Sequence, residues 1–292
     1  MVTIFTPTYN RAHLLPRLYN SLKNQTVFNF EWLIVDDGSV DNTQELVKAW
    51  IEDNIINIRY IYQNNGGKHR AFNTGVKNAN RELYFCVDSD DCVPPDCIET
   101  IIECWSDVKN NRIAGILALK SDEEGNLLSD TLPENIDETN LYDLVKKNHC
   151  NGEMTLIYKT SILKKYPYPE IEEENFVTEC VLYDKIDEEY KMLIVNKVLT
   201  VCEYQPDGLT NSIFINMLKN PTGYKIYYKQ RIDMASSLKE QIGYIIRYNA
   251  FKILSKDNEY DYNGRYNFFV KIIKPIGWLL TKYYYIRNKY NK

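Results

Sequence analysis

The sequence predicts an α/β fold, with a mostly parallel central sheet flanked by helices and followed by a helical C-terminal extension. Three observations predict it. Over the first 112 residues, short apolar segments alternate with amphipathic segments of about 10–15 residues, as in βαβ units. Polar residues cluster directly after several of the apolar segments, at the sheet edge where ligands bind. Residues 216–292 have a helical pattern instead and are rich in aromatic residues.

The first 112 residues contain alternating strand and helix signals. The predicted strands, in order, are VTIFTP, FEWLIVDDGS, NIRYIYQN and ELYFCVDSDD. The predicted helices after them are LLPRLYNSLKNQ, DNTQELVKAWIEDN, KHRAFNTGVKNAN and DCIETIIECWSDVKNN. Ser39 or Asp41 can cap the second helix, because both carry an oxygen that accepts the free N–H groups of a first turn. Helices between successive strands make the strands parallel and the crossovers right-handed.

The pattern changes after residue 112. Further strands are predicted at RIAGILALKS, GEMTLIYKTSIL and MLIVNKVLTVCEY, and the acidic segment SDEEGNLLSDTLPENIDET is predicted to be a loop or an excursion. We therefore divide the chain into residues 1–112 and 113–215, two halves of one domain, and a basic, aromatic helical extension at 216–292.

Charge is distributed unevenly along the chain. The net charge of the whole sequence is −5, which argues against general binding to nucleic acid. Residues 216–292 nevertheless carry 15 lysines and arginines against 5 acidic residues, so the rest of the chain is strongly acidic. Such an asymmetry indicates an anionic partner for the extension.

Cysteine usage and the N-terminal residues bear on the compartment. The seven cysteines include no CxxC pair, which fits neither a disulfide framework nor a zinc site and indicates free thiols in a reducing compartment. No basic segment followed by a long apolar one opens the sequence, and no run of 18 apolar residues occurs. We therefore expect neither a signal peptide nor a transmembrane helix, and a cytoplasmic location.

Three aspartates crowd the end of the fourth predicted strand. Asp88, Asp90 and Asp91 fall within four positions, and like charges this close require a cation nearby. Because side chains alternate along a strand, Asp88 and Asp90 offer two carboxylates on the same side. Mg²⁺ and Mn²⁺ take one or two such carboxylates together with phosphate and water. The alternative is that Asp90 and Asp91 only stabilise the turn before Pro94 and Pro95.

Four motifs together resemble those of family 2 glycosyltransferases, which have the Rossmann-like GT-A fold. The motifs are TPTYNR (6–11), VDDGSVDNT (35–43), NNGGKHRAFNTG (64–75) and VDSDD (87–91), in matching order and spacing. The resemblance is strong over residues 1–110 and weaker to about 215. It implies an inverting, metal-dependent transfer of a sugar from a nucleoside diphosphate sugar, with uridine expected, to a hydroxyl of a glycan or lipid-linked acceptor. Bacterial surface polysaccharide synthesis is the implied setting.

The resemblance assigns roles to individual residues. Asp90 is the implied ligand of a Mn²⁺ or Mg²⁺ ion, and Asp88 the implied contact to the ribose. Asp37 is implied to accept a hydrogen bond from the base, while Asp36 holds the loop or the ribose. The other implied donor-binding residues, around the base or near the phosphates, are Pro7, Thr8, Tyr9, Arg11, Gly67, Lys68, Asn73 and Ser89. The first two residues of GGKH would let the backbone approach an anion, unless they form only an ordinary turn.

The resemblance also implies a carboxylate base in the acidic segment EIEEENFVTECVLYDKI. Glu179 is our assignment, although Cys180 stands where the family often has a second acid. Glu174 and Asp184 are left as alternatives. Removal of the acceptor proton by such a base contributes about 10²–10⁴-fold to a rate.

Two further stretches are expected near the substrates. HCNGEMTLIYKT would line the acceptor side, with Glu153 binding a hydroxyl. CEYQPDGLTNS would form a loop over the donor, with Asp207 and Gly208 at its turn. Both are also compatible with plain loops.

The extension ends in a strongly basic segment. Residues 265–292 hold seven lysines and arginines, no acid and many aromatics. Their charges and Pro275 argue against a membrane span, whereas a peripheral contact with the inner face of the cell membrane and packing against protein are both open. A homo-oligomer is left open as well.

Two other functions compete with glycosyl transfer. A sugar-1-phosphate nucleotidyltransferase also uses an α/β sheet, a metal and aspartates, but needs a glycine-rich basic loop after the first strand, and TPTYNR has no glycine. A catalytically degenerate, membrane-associated assembly subunit is the second alternative. The intact DSD and DDGS sequences argue against it.

Overall fold

The structure is a computed structural model that describes residues 1–203, 213–255 and 258–290. The chain divides into two compact units. The first unit comprises Met1–Pro167 and Lys185–Gln205, and the second comprises Tyr168–Asp184 and Pro206–Lys292. The functional division at residues 112 and 215 stays a prediction.

All strands of the described residues lie in the first unit. They are β1 (Val2–Thr8), β2 (Phe30–Asp36), β3 (Ile58–Tyr62), β4 (Leu83–Cys86), β5 (Ile113–Asp122), β6 (Glu138–Thr139), β7 (Met154–Lys159) and β8 (Lys191–Cys202). They form one eight-stranded sheet in the order β3-β2-β1-β4-β7-β5-β8-β6. The two-residue β6 is the edge strand that the acidic segment contributes.

The helices follow the predicted alternation in the first unit and continue alone in the second. Those of the first unit are α1 (Leu15–Lys23), α2 (Thr43–Asp53), α3 (Lys68–Asn78), α4 (Cys97–Ser106), α5 (Leu141–Lys146) and α6 (Thr160–Leu163). The boundary between the units falls within α7 (Cys180–Asp187). Those of the second unit are α8 (Ile213–Lys219), α9 (Pro221–Met234), α10 (Leu238–Ser255) and α11 (Asn267–Tyr290).

The predicted α/β class is confirmed, with β7 as an antiparallel insertion and β6 as an antiparallel edge strand. β1 pairs in parallel with β2 and β4, and β2 with β3, as the βαβ pattern requires. β7 lies antiparallel between β4 and β5, and β5 pairs in parallel with β8. The predicted strand at GEMTLIYKTSIL ends at Lys159, and its last residues form α6 instead.

Packing against β1 fixes the position of α3. Phe5 packs on Phe72 of α3 with ring centroids 5.7 Å apart, and on Tyr84 of β4 at 5.1 Å. Gly75 permits this close approach, because a Cβ atom at this position would lie 2.4 Å from the Phe5 ring. The N-terminus of α3, where Lys68 stands, is thereby held beside the end of β4.

The second unit is a helical assembly with an aromatic core. α10 packs against both α9 and α11. The buried side chains of this core include Tyr224, Tyr228, Tyr248, Phe251 and Tyr284. The predicted helical extension is therefore confirmed, and α11 continues through Pro275. No helix within the described ranges combines the length and apolar character needed to cross a bilayer.

Glu31 ties three elements together at the amino end of β2. Its side chain is 2% exposed and accepts hydrogen bonds from Thr3 Oγ1 (2.7 Å) and from the N–H of Asn80 (3.0 Å). Nη1 of Arg59 lies 3.2 Å from Oε2. Although burial alone would raise it, the pKa of Glu31 lies below its ordinary value because these donors stabilise the carboxylate.

We predict that Glu31→Gln lowers the free energy of unfolding by about 2 kcal/mol at pH 7, because the charge-assisted bonds are lost. A lowered folded-state pKa contributes stability above the unfolded value of about 4.3, and this contribution disappears as pH falls through the folded value. The difference between wild type and variant should therefore shrink in acid. Urea unfolding at several pH values measures it. Glu45→Gln, at an exposed position of α2, is the control, and a pH-independent difference for Glu31→Gln would contradict the assignment.

Candidate active site

The polar residues predicted to converge lie at one edge of the sheet. Because β1, β2 and β4 are parallel neighbours, their carboxyl ends meet, and the loops after Thr8, Asp36 and Cys86 lie side by side. The N–H of Asp37 donates to the C=O of Thr8 at 2.8 Å, so the contact continues past the strand ends.

The loops after β1 and β2 are held together by reciprocal hydrogen bonds. The N–H of Asn10 donates to Ser39 Oγ, and the N–H of Val40 donates to Asn10 Oδ1, both at 2.8 Å. Asn10 has a φ of +54°, a conformation that asparagine tolerates better than most residues. The N-cap position of α2 is Asn42, so neither of the two predicted caps occupies it. Oδ1 of Asp41 nevertheless accepts the N–H of Thr43 (3.1 Å), whereas Oγ of Ser39 accepts the N–H of Asn10.

Asp36 supports the turn that follows β2. Its Oδ1 accepts the N–H of Ser39 at 2.7 Å, and its Oδ2 accepts the hydroxyl of Tyr60 at 2.5 Å. Asp36 therefore holds the loop, one of the two roles predicted for it.

Asp37 is buried, and its carboxylate bonds the GG loop. Oδ1 accepts hydrogen bonds from Gln63 Nε2 (2.7 Å) and the N–H of Gly66 (3.0 Å), and Oδ2 accepts the N–H of Gly67 (2.7 Å). The glycine amides expected to approach a ligand anion thus bind the protein's own Asp37. A carboxylate has about four acceptor sites, so a bond to a nucleobase would share this group with the loop. That bond stays a prediction.

Gly67 and Lys68 start α3 at the edge of the site. Gly67 has a φ of +91°, which favours glycine, and it occupies the N-cap position of α3. Lys68 is the first helical residue, and its Nζ lies 2.9 Å from Oδ2 of Asp88. The aspartates after β4 therefore have a lysine partner within the protein.

A second lysine reaches the same aspartates from β5. Nζ of Lys120 lies 3.7 Å from Oδ2 of Asp91, and both side chains are largely buried. Burial alone would lower the pKa of Lys120, but the charge of Asp91 raises it. Sequence reasoning missed Lys120. The signal was a single lysine at the carboxyl end of an otherwise apolar strand, IAGILALK.

The three aspartates have different electrostatic environments. Although burial alone would raise it, the pKa of Asp88 lies below its ordinary value because Lys68 and Lys120 stabilise the carboxylate. Burial, with the neighbouring charge of Asp88, raises the pKa of Asp90. Burial also raises the pKa of Asp91 to about 6, although Lys120 counteracts this rise. Asp88 is therefore the most acidic member of the group.

Asp88 and Asp90 are suited to a divalent cation. Oδ1 of Asp88 is buried and has no hydrogen-bond partner among the residues described, so it is available to a ligand. Across residues 1–203, 213–255 and 258–290, no three His, Cys, Asp or Glu side chains make a closed metal site. Mg²⁺ and Mn²⁺ need only one or two carboxylates when phosphate and water complete the shell. This donor set fits that pattern.

The other predicted donor-binding residues belong to β1, to α3 and to the loops after β1 and β4. Thr8 is buried, and its Oγ1 has no hydrogen-bond partner within the described part of the chain. Tyr9, by contrast, is 48% exposed, so its ring is accessible for stacking. The remaining ones lie at the end of β1 (Pro7), in the following loop (Arg11), on α3 (Asn73) and after β4 (Ser89). Glu153 is exposed just before β7, and Asp207 and Gly208 lie outside the described residues.

The three candidate bases belong to the second unit and differ in their surroundings. Oε1 and Oε2 of the buried Glu174 accept the N–H groups of Thr222 (2.7 Å) and Gly223 (2.9 Å) at the start of α9. Both carboxylate oxygens of Asp184 lie 2.6 Å from guanidinium nitrogens of Arg231. Glu174 and Asp184 are therefore buried within structural hydrogen bonds. Glu179 is exposed immediately before α7, and its Oε2 accepts the hydroxyl of Tyr183 at 3.5 Å.

Comparison with known families identifies the class of protein. The family described as Glycosyl transferase family 2 matches residues 3–166, more than half of the chain. The chain belongs to this family, and the resemblance of its four motifs is confirmed.

Individual relatives match over shorter stretches. An uncharacterized glycosyltransferase of Rickettsia conorii is 36% identical over 139 residues, 47% of this chain and 22% of the relative. Glycosyltransferase GlyG of Streptococcus pneumoniae is 36% identical over 105 residues, 35% of this chain and 34% of the relative. The chondroitin synthase of Pasteurella multocida is 36% identical over 103 residues, 35% of this chain and 11% of the relative. The matched region thus spans a third or less of each relative's length.

Solved structures confirm the GT-A fold. Residues 1–349 of TarS from S. aureus, in complex with UDP-GlcNAc, align with a TM-score of 0.61 and 19% identity over 87% of this chain and 81% of that one. The mannosyltransferase PcManGT from Pyrobaculum calidifontis, in complex with GDP-Man and Mn²⁺, aligns with a TM-score of 0.56 and 15% identity over 98% and 84%. At these identities the likeness concerns the fold.

We predict that Lys120→Met lowers the free energy of unfolding by about 2 kcal/mol, because Asp91 is left buried beside two carboxylates without its cation. Asp91→Asn in the same background should restore most of the loss, since no buried charge is then unpaired. A double-mutant cycle in urea measures the coupling. Lys109→Met, at an exposed position of the first unit, is the control. Additive losses in the double variant would show that the pair is not coupled.

Proposed function

We propose that this protein is an inverting, metal-dependent glycosyltransferase that moves a sugar from a UDP-sugar to a hydroxyl of a glycan or lipid-linked acceptor. The observation that carries the proposal is the Asp88–Asp90 pair at the carboxyl edge of a family 2 sheet, beside Lys68 and with a buried carboxylate oxygen available to a ligand. Aspartates and a lysine in this arrangement suit a diphosphate and a cation.

The donor would lie along the loops after β1, β2 and β4. Tyr9 and the neighbouring Pro7 and Thr8 would contact the base. The positively charged Arg11 and Lys68, which both act on the aspartates after β4, would contact the diphosphate. Lys68 would then exchange its bond to Asp88 for one to a phosphate oxygen. Uridine is the proposed nucleoside. TarS is solved with UDP-GlcNAc and PcManGT with GDP-Man. Proteins similar to this chain in fold therefore include one bound to a uridine nucleotide and one bound to a guanosine nucleotide.

Asp90, with Asp88, would hold the Mn²⁺ or Mg²⁺ ion. Such an ion stabilises the negative charge that develops on the diphosphate as a Lewis acid. Release of Asp88 by Lys68 would make its carboxylate available at the same time as the phosphates arrive. Two carboxylates are enough to hold the ion, because phosphate oxygens and water would supply its other ligands.

Glu179 is the proposed base. It would take the proton of the acceptor hydroxyl while the acceptor oxygen bonds the anomeric carbon and the bond from that carbon to the diphosphate oxygen breaks. The nucleoside diphosphate leaves with the electron pair, and the anomeric configuration inverts. The structural partners of Glu174 and Asp184 support Glu179 over these alternatives.

Some of the relatives are named as polysaccharide synthases. Chondroitin synthase and hyaluronan synthase of Pasteurella multocida both match over 103 residues. They support a glycan or a lipid-linked glycan as the acceptor class, and the sugar and the linkage depend on side chains outside the matched motifs.

We predict that UDP binds the protein in calorimetric titration only when Mn²⁺ or Mg²⁺ is present, and that Asp90→Asn abolishes the metal-dependent part. The reason is that the ion joins the carboxylates to the diphosphate. Asp107→Asn, at an exposed position after α4, is the matched control and should bind like wild type. GDP and TDP are titrated in parallel. Binding of GDP instead of UDP would reject the uridine assignment, and binding of no nucleotide would reject the transferase proposal in favour of a degenerate subunit.

We predict that Glu179→Gln reduces sugar transfer by about 10²–10⁴-fold and leaves the thermal midpoint unchanged, as expected for an exposed base. Glu174→Gln and Asp184→Asn should instead lower the thermal midpoint, because each removes a partner from a buried set of hydrogen bonds. Release of UDP from the donor in the presence of glycan acceptors is the activity readout. Unchanged transfer by Glu179→Gln would exclude this residue as the base.

A further inference from the structure

Helix α11 presents two opposite faces, of which one is fully used inside the second unit. Its buried face comprises Val270, Gly277, Thr281 and Tyr284. A Cβ atom at Gly277 would lie 2.4 Å from Cβ of Asn249, so this glycine allows α10 to approach closely. Nδ2 of Asn249 also donates to the C=O of Val270 at 2.9 Å. This face fixes the orientation of α11 on α10.

The opposite face is an exposed apolar stripe. Its members recur at steps of four or three residues and are Phe268, Ile272, Ile276, Leu279, Tyr283 and Ile286. Such steps place side chains on one side of a helix. Each is about half exposed or more, from 49% at Ile276 to 67% at Phe268. A stripe of this kind on a helix of 24 residues, about 36 Å long, is far more apolar surface than scattered exposed residues provide.

A basic and aromatic flank borders the apolar stripe. At the same helical spacing it contains Lys271, Lys274, Trp278, Lys282 and Tyr285, all exposed. Nζ of Lys282 lies 3.7 Å from the centre of the Trp278 ring. The sequence of α11 contains no acidic residue. The helix therefore combines apolar side chains, interfacial aromatics and positive charge along one side.

We propose that this side of α11 binds the surface of an anionic membrane. The apolar stripe would enter the boundary between headgroups and acyl chains, with the helix lying in the plane of the interface. Trp278, Tyr283 and Tyr285 would lie at headgroup level, where amphipathic rings are favoured. The lysines of the flank would contact anionic lipid headgroups.

Charge is what favours a membrane over a second copy of the chain. A twofold dimer through this stripe would bring together two α11 helices that carry only positive charge, with no acid on either to compensate. Like charges across an interface oppose association. An anionic lipid surface offers both the apolar phase and the opposite charge. The proposal is independent of the sugar donor and goes beyond the proposed transfer reaction.

Vesicle flotation with the full chain tests the proposal. The vesicles contain phosphatidylcholine alone, or phosphatidylcholine and phosphatidylglycerol in equal parts. We expect flotation with the anionic vesicles, weaker binding to the neutral ones, and loss of the difference at high salt. The variant Ile272→Asp/Leu279→Asp should bind anionic vesicles at least about tenfold more weakly, because it places charge in the apolar stripe.

Two further variants separate the contributions. Lys271→Gln/Lys274→Gln/Lys282→Gln should lose at least about tenfold in binding to anionic vesicles while its binding to neutral vesicles is unchanged. Ile51→Asp/Ile55→Asp, with two exposed isoleucines of the first unit, is the matched control and should float like wild type. Circular dichroism and thermal melting establish that all variants are folded, since the changed positions are exposed.

Three outcomes would overturn the proposal. The first is wild-type protein that floats with neither kind of vesicle. The second is flotation that neither the stripe variant nor the lysine variant weakens. The third is a wild-type dimer in sedimentation velocity that Ile272→Asp/Leu279→Asp dissociates, without vesicle binding, which would assign the stripe to a homodimer. UDP titration of the same variants tells a failure of this proposal from a failure of the transferase proposal.

Discussion

The crowding of negative charge after β4 is the constraint on which the site depends. Three aspartates within four residues repel one another, and burial makes that repulsion stronger than it would be in water. The structure offsets it with two lysines from separate elements, Lys68 at the start of α3 and Lys120 at the end of β5. Neither lysine is near the aspartates in sequence. The two lysines reach the aspartates because α3 packs on β1 and because β5 lies in the same sheet as β4.

A metal ion is the cation that the sequence predicts beside these aspartates, and this stays a prediction. Lys68 and Lys120 already provide positive charge within the protein, and Asp88 is the carboxylate that gains most from them. A cation bound at Oδ1 of Asp88 would lie close to the ammonium group of Lys68, which bonds Oδ2 of the same carboxylate. Binding of a divalent ion and of an anionic donor are thus linked, because a diphosphate would give Lys68 another partner as the ion takes its place.

The fold was predictable because its signals are local. The apolar runs of β1 and β2, and the helix signals between them, lie within windows of a few residues. Partners across the sheet are not local. Lys120 was missed because its place depends on the antiparallel β7, which no periodicity in IAGILALK reveals. The sequence predicts the position of Asp37 directly after β2. Its hydrogen bonds from the N–H groups of Gly66 and Gly67 depend on a loop about thirty residues away.

The same reason explains why three acids of one segment could not be told apart from sequence. The two donors to Glu174 follow it by 48 and 49 residues, and the partner of Asp184 follows it by 47. An acidic run otherwise indicates only a solvated surface. Residues of α9 form hydrogen bonds with the buried Glu174 and Asp184, whereas Glu179 is exposed.

The path of the chain between the units has a practical consequence. The second unit is assembled from Tyr168–Asp184 and from residues after 205, so the chain leaves the first unit and returns to it before β8. A fragment truncated after β8 would keep Glu174 and Asp184 but lose α9, which holds the partners of both. A fragment that ends after β8 therefore lacks structural partners that its own residues need. A fragment meant to keep the proposed base Glu179 in folded surroundings would need to continue through α9.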